Sequence, residues 1–257
     1  MIALIPAVDH PDVISGMSIV DTSVLPWPGA TFSVSDSADA DRVERSFELL
    51  SAHVGWSRTM IATVNQVHGA DIVDVRHADD IAELRRRPAD GLYTTTRGIL
   101  LGVKLADCCG VLIHDPVRGA IAAVHSGWRG TAANISGRMI ERLLRDVGCE
   151  VKNIRAWLSP CASGSAYEVG RDVAEVLGEF CTPVPDSVSQ DMRQSTPKWY
   201  FDNHQAIIHQ LTELGVSEGN ITVDRSCTIG NTRYHSFRRD GSRSGRMLAF
   251  IGMREKP

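Results

Sequence analysis

Apolar positions along the chain recur with two periods. Between Asp41 and His53, Val43, Phe47 and Leu50 fall on one helical face and Gly55 follows as a stop, which predicts an amphipathic helix. From Met60 onward the pattern changes to short β-rich runs, at Ile61 to Val67, Ile72 to Val75, Ile99 to Leu105, Val111 to His114 and Ala120 to Val124. Several are apolar at consecutive positions, the pattern of strands covered on both faces. A second helix is expected over about Thr131 to Val147, burying Ile135, Met139, Leu143 and Val147 and stopping at Gly148; a strand at Ile154 to Leu158 follows it. Two further helices are predicted near Val169 to Phe180 and from Asp202, an N-cap with Gln205 three residues on, to Leu214 before Gly215. Strands near Ile221 to Val223 and Met247 to Ile251 close the chain, and the polar, Pro-containing stretch Cys181 to Ser195 reads as a loop.

Strands mixed irregularly with helices favour an α+β architecture, mixed sheets flanked by helices, over a regular βαβ alternation. At 257 residues and 43% hydrophobic the chain can bury a large core, and residues 1–257 are expected to form a single domain. A net charge of −4 provides no broad basic surface, so nucleic acid is not the expected partner. No stretch approaches the roughly twenty apolar residues of a membrane helix, and Met1 to Val8 lacks a basic segment and contains Pro6. That opening run is read as a strand or packed arm of a soluble, cytoplasmic protein. Six cysteines are sparse for this length, and reduced thiols are the default in that compartment.

Chemistry concentrates between Asn65 and Thr131. His68 ends a strand before Gly69; Asp107, Cys108 and Cys109 interrupt two apolar runs; His125 to Gly130 join a buried strand to a helix, where Arg129 adds donors suited to phosphate or carboxylate. Taken singly, each His is more simply a hydrogen-bonded strand-end residue and each Cys a small buried hydrophobe. Together, His68, Cys108 and His125 offer two imidazoles and a thiolate, a set suited to zinc or copper rather than magnesium or calcium. Their spacings of 40 and 17 residues match neither a zinc finger nor a helical zinc motif. Three protein ligands would leave an open fourth position, the arrangement of catalytic zinc.

The segments Gln66-Val67-His68-Gly69, Ala89-Asp90-Gly91, Ala106-Asp107-Cys108, His125-Ser126-Gly127-Trp128-Arg129-Gly130, Tyr167-Glu168-Val169-Gly170 and Ser236-Phe237-Arg238-Arg239-Asp240-Gly241 resemble the laccase-domain family, also called polyphenol-oxidase-like or peptidoglycan editing factor. The motifs run in family order from about residue 60 to the end. The resemblance implies zinc at His68, Cys108 and His125. It also implies phosphorolysis of adenosine, inosine, guanosine and methylthioadenosine, with adenosine deamination alongside; the partners would be a purine nucleoside and phosphate. On this reading Arg129 holds phosphate. Asp107 acts as a general acid or base or orients a ligand, against a structural salt bridge to Arg238 or Arg239. Two departures stand out: Ser163-Gly164-Ser165-Ala166 replaces a cysteine pair common in the family, with Cys161 no obvious substitute, and Ser33 to Ala40 matches the family poorly. Cys109 and His114, at positions the family usually gives to aliphatic or small residues, are read as structural.

Two other enzyme classes compete. The family name suggests a copper phenol oxidase, but multicopper sites use paired His-x-His ligands and this chain has none. A cysteine hydrolase with Cys108 as nucleophile and His125 as base is the other, and a bound metal would block it. A cell-wall editing role is suggested by the family name alone. No His-x-Glu with a following Pro-Cys-x-x-Cys is present, nor a Gly-rich dinucleotide loop or Walker motif, so neither a cytidine-deaminase zinc site nor a nucleotide cofactor is expected.

Overall fold

The computed structural model describes residues 1–34, 39–77, 81–185 and 197–255. In chain order its elements are β1 (Leu4–Pro6), β2 (Val13–Ser18), α1 (Ala40–Val54), β3 (Ile61–Ala62), β4 (Ile72–Asp74), α2 (Ile81–Leu84), β5 (Gly91–Thr94), β6 (Leu100–Leu105), β7 (Cys109–Asp115), β8 (Ala120–Ser126), α3 (Trp128–Ala132), α4 (Ile135–Arg142), β9 (Arg155–Leu158), β10 (Glu168–Val169), α5 (Arg171–Leu177), β11 (Cys181–Pro183), β12 (Trp199–Phe201), α6 (Asn203–Glu213), β13 (Ile221–Val223), α7 (Phe237–Asp240) and β14 (Met247–Met253). Parallel and antiparallel pairs mix within the sheets, so the α+β expectation holds.

Two sheets stack face to face. One has the order β1-β2-β14-β6-β3, the other β13-β9-β7-β8-β5-β4. Period-two alternation divides the side chains between layers. Leu112, Ile121 and Ala123 of the six-stranded sheet meet Leu101, Val103, Ala249 and Ile251 of the five-stranded one. Val111, Ile113, Ala122 and Val124 point the other way, onto Ile135 and Met139 of α4 and Ile207 and Leu211 of α6. On the far side of the five-stranded sheet Leu100, Leu248 and Phe250 pack under Phe47, Leu50 and Val54 of α1. The order of layers is therefore helix, sheet, sheet, helices. A small third sheet, β10-β12-β11, packs with α5 at one end.

Helix α1 forms where the spacing predicts it. Asp39 accepts the Arg42 N–H at 2.8 Å and Gly55, at φ 71°, closes the last turn onto the Ser51 carbonyl. The strand expected over Ile61 to Val67 pairs with β6 at Ile61–Ala62 and then only through an isolated bridge from Asn65 to Pro88. Beyond it the Gln66 side chain replaces a backbone rung, accepting the Lys104 N–H at 2.7 Å and donating to the Lys104 carbonyl at 2.8 Å. The helix expected over Thr131 to Val147 starts earlier, at Trp128, and breaks at Asn134, which is left-handed at φ 58°. It resumes as α4 and widens into a π turn over Leu143–Val147 before Gly148.

The helix expected over Val169 to Phe180 is shorter, because Glu168 and Val169 pair with β12 and Gly170 precedes α5. Strands β2, β5 and the third sheet carry no clear period and were not anticipated. Within the stretch read as a loop, Cys181–Pro183 form β11, and residues 186–195 lie outside the described residues, as do 35–38 of the poorly matching Ser33 to Ala40 segment. Among the described residues no helix is long and apolar enough to cross a membrane. All six cysteines are free.

His114, fully buried on β7, has no partner for Nδ1 and meets the His10 ring edge-on at 4.7 Å. Burial, reinforced by His10, brings its pKa down to about 4. The unfolded chain, with a histidine near 6.5, binds this proton first on acidification, so the contribution of His114 to stability is lost as pH falls from about 6.5 towards 4. Between pH 7 and pH 5 the loss is on the order of 1–2 kcal/mol. The melting temperature of His114→Leu should therefore fall less over that interval than that of the parent; equal falls would remove His114 as the titrating group.

Candidate metal centre and adjoining cavity

His68, Cys108 and His125 come from three separate elements and meet at one end of the stacked sheets. Their nitrogen and sulfur donor atoms all lie within 4.8 Å of one another. The His68 and His125 rings are nearly perpendicular, with centroids 4.8 Å apart. His125 is buried near the end of β8, Cys108 is half-buried in the bend between β6 and β7, and His68 is exposed, so the cluster opens to solvent on the His68 side. Left-handed backbone at His68 (φ 59°) and Asp107 (φ 82°) turns these segments inward. Two of the three non-glycine residues with positive φ among the described residues thus belong to the site.

Beneath the cluster lies Asp90, with no solvent exposure. Its carboxylate accepts the backbone N–H groups of Val67, His68 and Gly69 at 3.2, 3.0 and 2.7 Å and faces His125 Nδ1 at 2.7 Å. Nδ1 is therefore the protonated nitrogen of His125, and Nε2 is turned to the cluster. Burial alone would raise the Asp90 carboxyl, but His125 and the amide donors hold it below the usual range. Burial likewise disfavours the His125 cation, yet Cys108 and Asp90 lift its pKa to about 9. Burial pushes the Cys108 thiol up, and the two imidazoles outweigh it and bring the thiol to about 6. Both shifts favour the charged pair, a thiolate beside an imidazolium.

The donor set fits a thiophilic divalent ion: one sulfur and two nitrogens, with a carboxylate behind one imidazole. Gly127 keeps the cradle open, since a Cβ there would lie 2.8 Å from Cys108 Sγ and 3.3 Å from His68 Cδ2. The turn after His125 is locked from below. Asn203 donates to the Ser126 carbonyl at 2.8 Å, and the Thr131 hydroxyl donates to Asn203 Oδ1 at 2.7 Å.

A cavity of about 480 Å³ adjoins the cluster, within the range of roughly 300–1,000 Å³ that small-molecule sites occupy. Asp107, Trp128, Arg129, Tyr167, Arg238 and Arg246 line it. Three guanidiniums lie over aromatic rings, Arg129 over Trp128 at 4.3 Å, Arg238 over Tyr167 at 4.9 Å and Arg246 over Phe237 at 5.3 Å. Arg238 donates to the Glu168 carbonyl, and Arg246 to those of Ser244 and Gly245. Residues 163–166, where the sequence departs from the family, do not line the cavity.

Asp107 makes no salt bridge to the Arg238 or Arg239 side chain. Its carboxylate accepts the Thr228 hydroxyl at 2.6 Å and the backbone N–H of Arg238 at 2.7 Å. The Arg239 guanidinium instead caps the carbonyls of Thr228, Ile229 and Tyr234 and pairs with Asp240. Sequence reasoning gave no role to Asp90, Tyr167 or Arg246, and considered Arg238 only as a salt-bridge partner of Asp107. A usable signal existed for Asp90, a carboxylate set between Ala89 and Gly91 and followed by Leu92 and Tyr93, where burial without a partner is costly.

The chain matches the family model described as multi-copper polyphenol oxidoreductase laccase over residues 21–254. It is 32% identical over 232 residues to a purine nucleoside phosphorylase of Deinococcus radiodurans, covering 88% of this chain and 83% of that protein. A purine nucleoside phosphorylase YlmD of Geobacillus stearothermophilus is 34% identical over 199 residues, 74% of this chain and 71% of the relative. The crystal structure of YlmD from that organism superposes with a TM-score of 0.82 at 27% identity, covering 95% of this chain and 93% of the other.

Asp90→Asn keeps the shape of the carboxylate but removes its charge and presents an amide donor to at least one of four donors. The variant should lose about 2–4 kcal/mol of stability, the scale of breaking a buried charged pair, in urea unfolding. A loss below the roughly 0.5 kcal/mol of an ordinary surface substitution would show that the carboxylate does not hold the site together.

Proposed function

We propose that this chain, which belongs to the laccase-like family whose model it matches over residues 21–254, is a zinc-dependent purine nucleoside phosphorylase with adenosine deamination as a side activity. The nucleosides in view are adenosine, inosine, guanosine and methylthioadenosine. One observation carries the reading: a cluster of two imidazoles and a thiolate opens into a cavity walled by arginines and aromatic rings. That the relatives are named purine nucleoside phosphorylases supports it.

His68, Cys108 and His125 would hold the ion. When bound, zinc supplies a Lewis acid at the cavity floor, the chemistry that activates water for deamination. Zinc fits better than copper here, because the cluster provides one mononuclear set of donors and the chain has no His-x-His pair.

Phosphorolysis joins a phosphate oxygen to ribose C1′ as the bond from C1′ to the purine breaks and its electron pair leaves with the base. Arg129 serves as the phosphate anchor: among the described residues its guanidinium hydrogen-bonds no protein group, and its face rests on Trp128. Arg238 lies over Tyr167 and adds a second positive charge to the same cavity. Exposed Phe237 offers an apolar wall to the purine. Of the two roles considered for Asp107, orienting Cys108 is the better supported. Both of its oxygens already accept hydrogen bonds, and its left-handed backbone sets the direction of the next residue.

The cysteine-hydrolase reading retains one supporting observation, the placement of Cys108 against His125, which favours the thiolate. Both readings meet the same experiment. Metal analysis of the purified protein is followed by incubation with adenosine, with and without phosphate, and separation of adenine, inosine and ribose phosphate. The expected result is zinc bound through His68, Cys108 and His125, and adenine release that requires phosphate. Arg129→Ala should raise the KM for phosphate roughly tenfold or more, the scale of one lost charge-assisted hydrogen bond. Copper with phenol oxidation, or turnover by metal-free protein that alkylation of Cys108 abolishes, would overturn the proposal. An unchanged phosphate dependence in Arg129→Ala would remove Arg129 as the anchor.

A further inference from the structure

Cys108 and Cys109 are consecutive and face opposite ways at the start of β7. Cys108 packs beside the core between the sheets and faces the cavity, whereas Cys109 belongs to the core on the helical side. There it meets Cys161, which follows β9, and His204, in the first turn of α6. The three donor atoms lie within 4.8 Å of one another, and all three residues are buried. Read one at a time from the sequence, Cys109 is structural and Cys161 carries no role; the fold makes them a set.

The hydrogen bonds within the set are crowded. His204 Nε2 lies 2.9 Å from the Ser159 carbonyl and 3.3 Å from Cys161 Sγ. Cys109 Sγ reaches the same Ser159 carbonyl at 3.7 Å and the Gly110 carbonyl at 3.6 Å, and Cys161 Sγ reaches its neighbour's carbonyl, that of Ala162, at 3.5 Å. One thiol and the imidazole therefore share the Ser159 carbonyl oxygen, and the second thiol lies against the same imidazole nitrogen. Zinc bonds of about 2.3 Å to sulfur and 2.0 Å to nitrogen place a tetrahedral sulfur and nitrogen roughly 3.5 Å apart, close to the observed 3.3 Å.

We infer that Cys109, Cys161 and His204 form a second, structural metal site for a thiophilic divalent cation, zinc first, buried behind the candidate active site. Charge favours this choice. Binding releases one proton from each thiol, and two thiolates neutralise a divalent ion, so no net charge is left in the apolar interior. His204 coordinates through Nε2 once its proton moves to Nδ1, and the Ser159 carbonyl, relieved of that N–H, is the available fourth donor. A monovalent cuprous ion with the same two thiolates would leave a buried negative charge. The site would tie β7, the end of β9 and α6 together beneath the cluster of His68, Cys108 and His125.

The test grows the full chain in cobalt-supplemented medium, purifies it without chelator, and counts metal per chain alongside thiolate-to-cobalt absorption. Two cobalt ions per chain are expected, with absorption from three thiolates. Cys161→Ser and His204→Gln should each retain one ion and the spectrum of a single thiolate, whereas Cys108→Ser should retain one ion and the spectrum of two. The count on the parent chain needs no substitution, so it stands even if a buried variant fails to fold. One cobalt per parent chain with the spectrum of a single thiolate, a second ion without added thiolate absorption, two ions in folded Cys161→Ser, or a Cys109–Cys161 disulfide in the mapped peptides would each overturn the inference.

Discussion

Asp90 carries a charge where water cannot reach it, and such a charge is tolerated only if donors surround it. Four do so: three consecutive backbone amides from the turn carrying His68, and the Nδ1–H of His125. Each partner is fixed in turn by the need to satisfy the carboxylate. The amides can converge on one acceptor only if the turn bends sharply, and His68 accordingly adopts a left-handed backbone. His125 must present Nδ1 downward, which leaves Nε2 facing Cys108. One buried carboxylate thus sets the position of one histidine and the tautomer of the other.

The sheets supply what Asp90 cannot. Cys108 is held by the connection from β6, whose last residues pair with β14, into β7, whose first residues pair with β8. Asp107, in the same bend, is fastened by Thr228 and the Arg238 amide and accepts the Ala162 N–H on its carbonyl. Segments more than a hundred residues apart thereby close around one position. The same bend brings Arg238 to the cavity wall, so the charge of the wall and the aim of the thiol share one set of hydrogen bonds.

Much of this was legible in the sequence, and the limits have physical reasons. Long apolar runs such as Ile99 to Leu105 and Ala120 to Val124 identify strands covered on both faces, and the structure places them in the two stacked sheets. The N-cap at Asp202 was likewise readable, because its side chain accepts the Gln205 N–H. Gln66 was not, since nothing local distinguishes a surface glutamine from one whose amide replaces a strand rung. Nor does the local pattern reveal the break at Asn134, where the apolar period of the helix continues unbroken. At the site, motif resemblance brought out His68, Cys108 and His125, but four of the six hydrogen bonds to the Asp90 and Asp107 carboxylates come from backbone amides, which leave no mark in side-chain chemistry.

The distribution of charge in the cavity is the physical argument for the proposed anionic co-substrate. At the candidate metal centre, Cys108 as thiolate and Asp90 would together carry two negative charges, enough to balance a divalent ion, so the centre itself would not demand an anion. The surrounding wall differs. Arg129, Arg238 and Arg246 face the cavity, and the lining carboxylate, Asp107, is already engaged by a hydroxyl and an amide. Stacking on Trp128, Tyr167 and Phe237 eases the proximity of like charges but neutralises none of them. A neutral nucleoside alone would leave this excess of positive charge unanswered. On the proposed reading, a nucleoside bound together with phosphate would answer both halves of the cavity, the aromatic faces by the base and the guanidiniums by the anion.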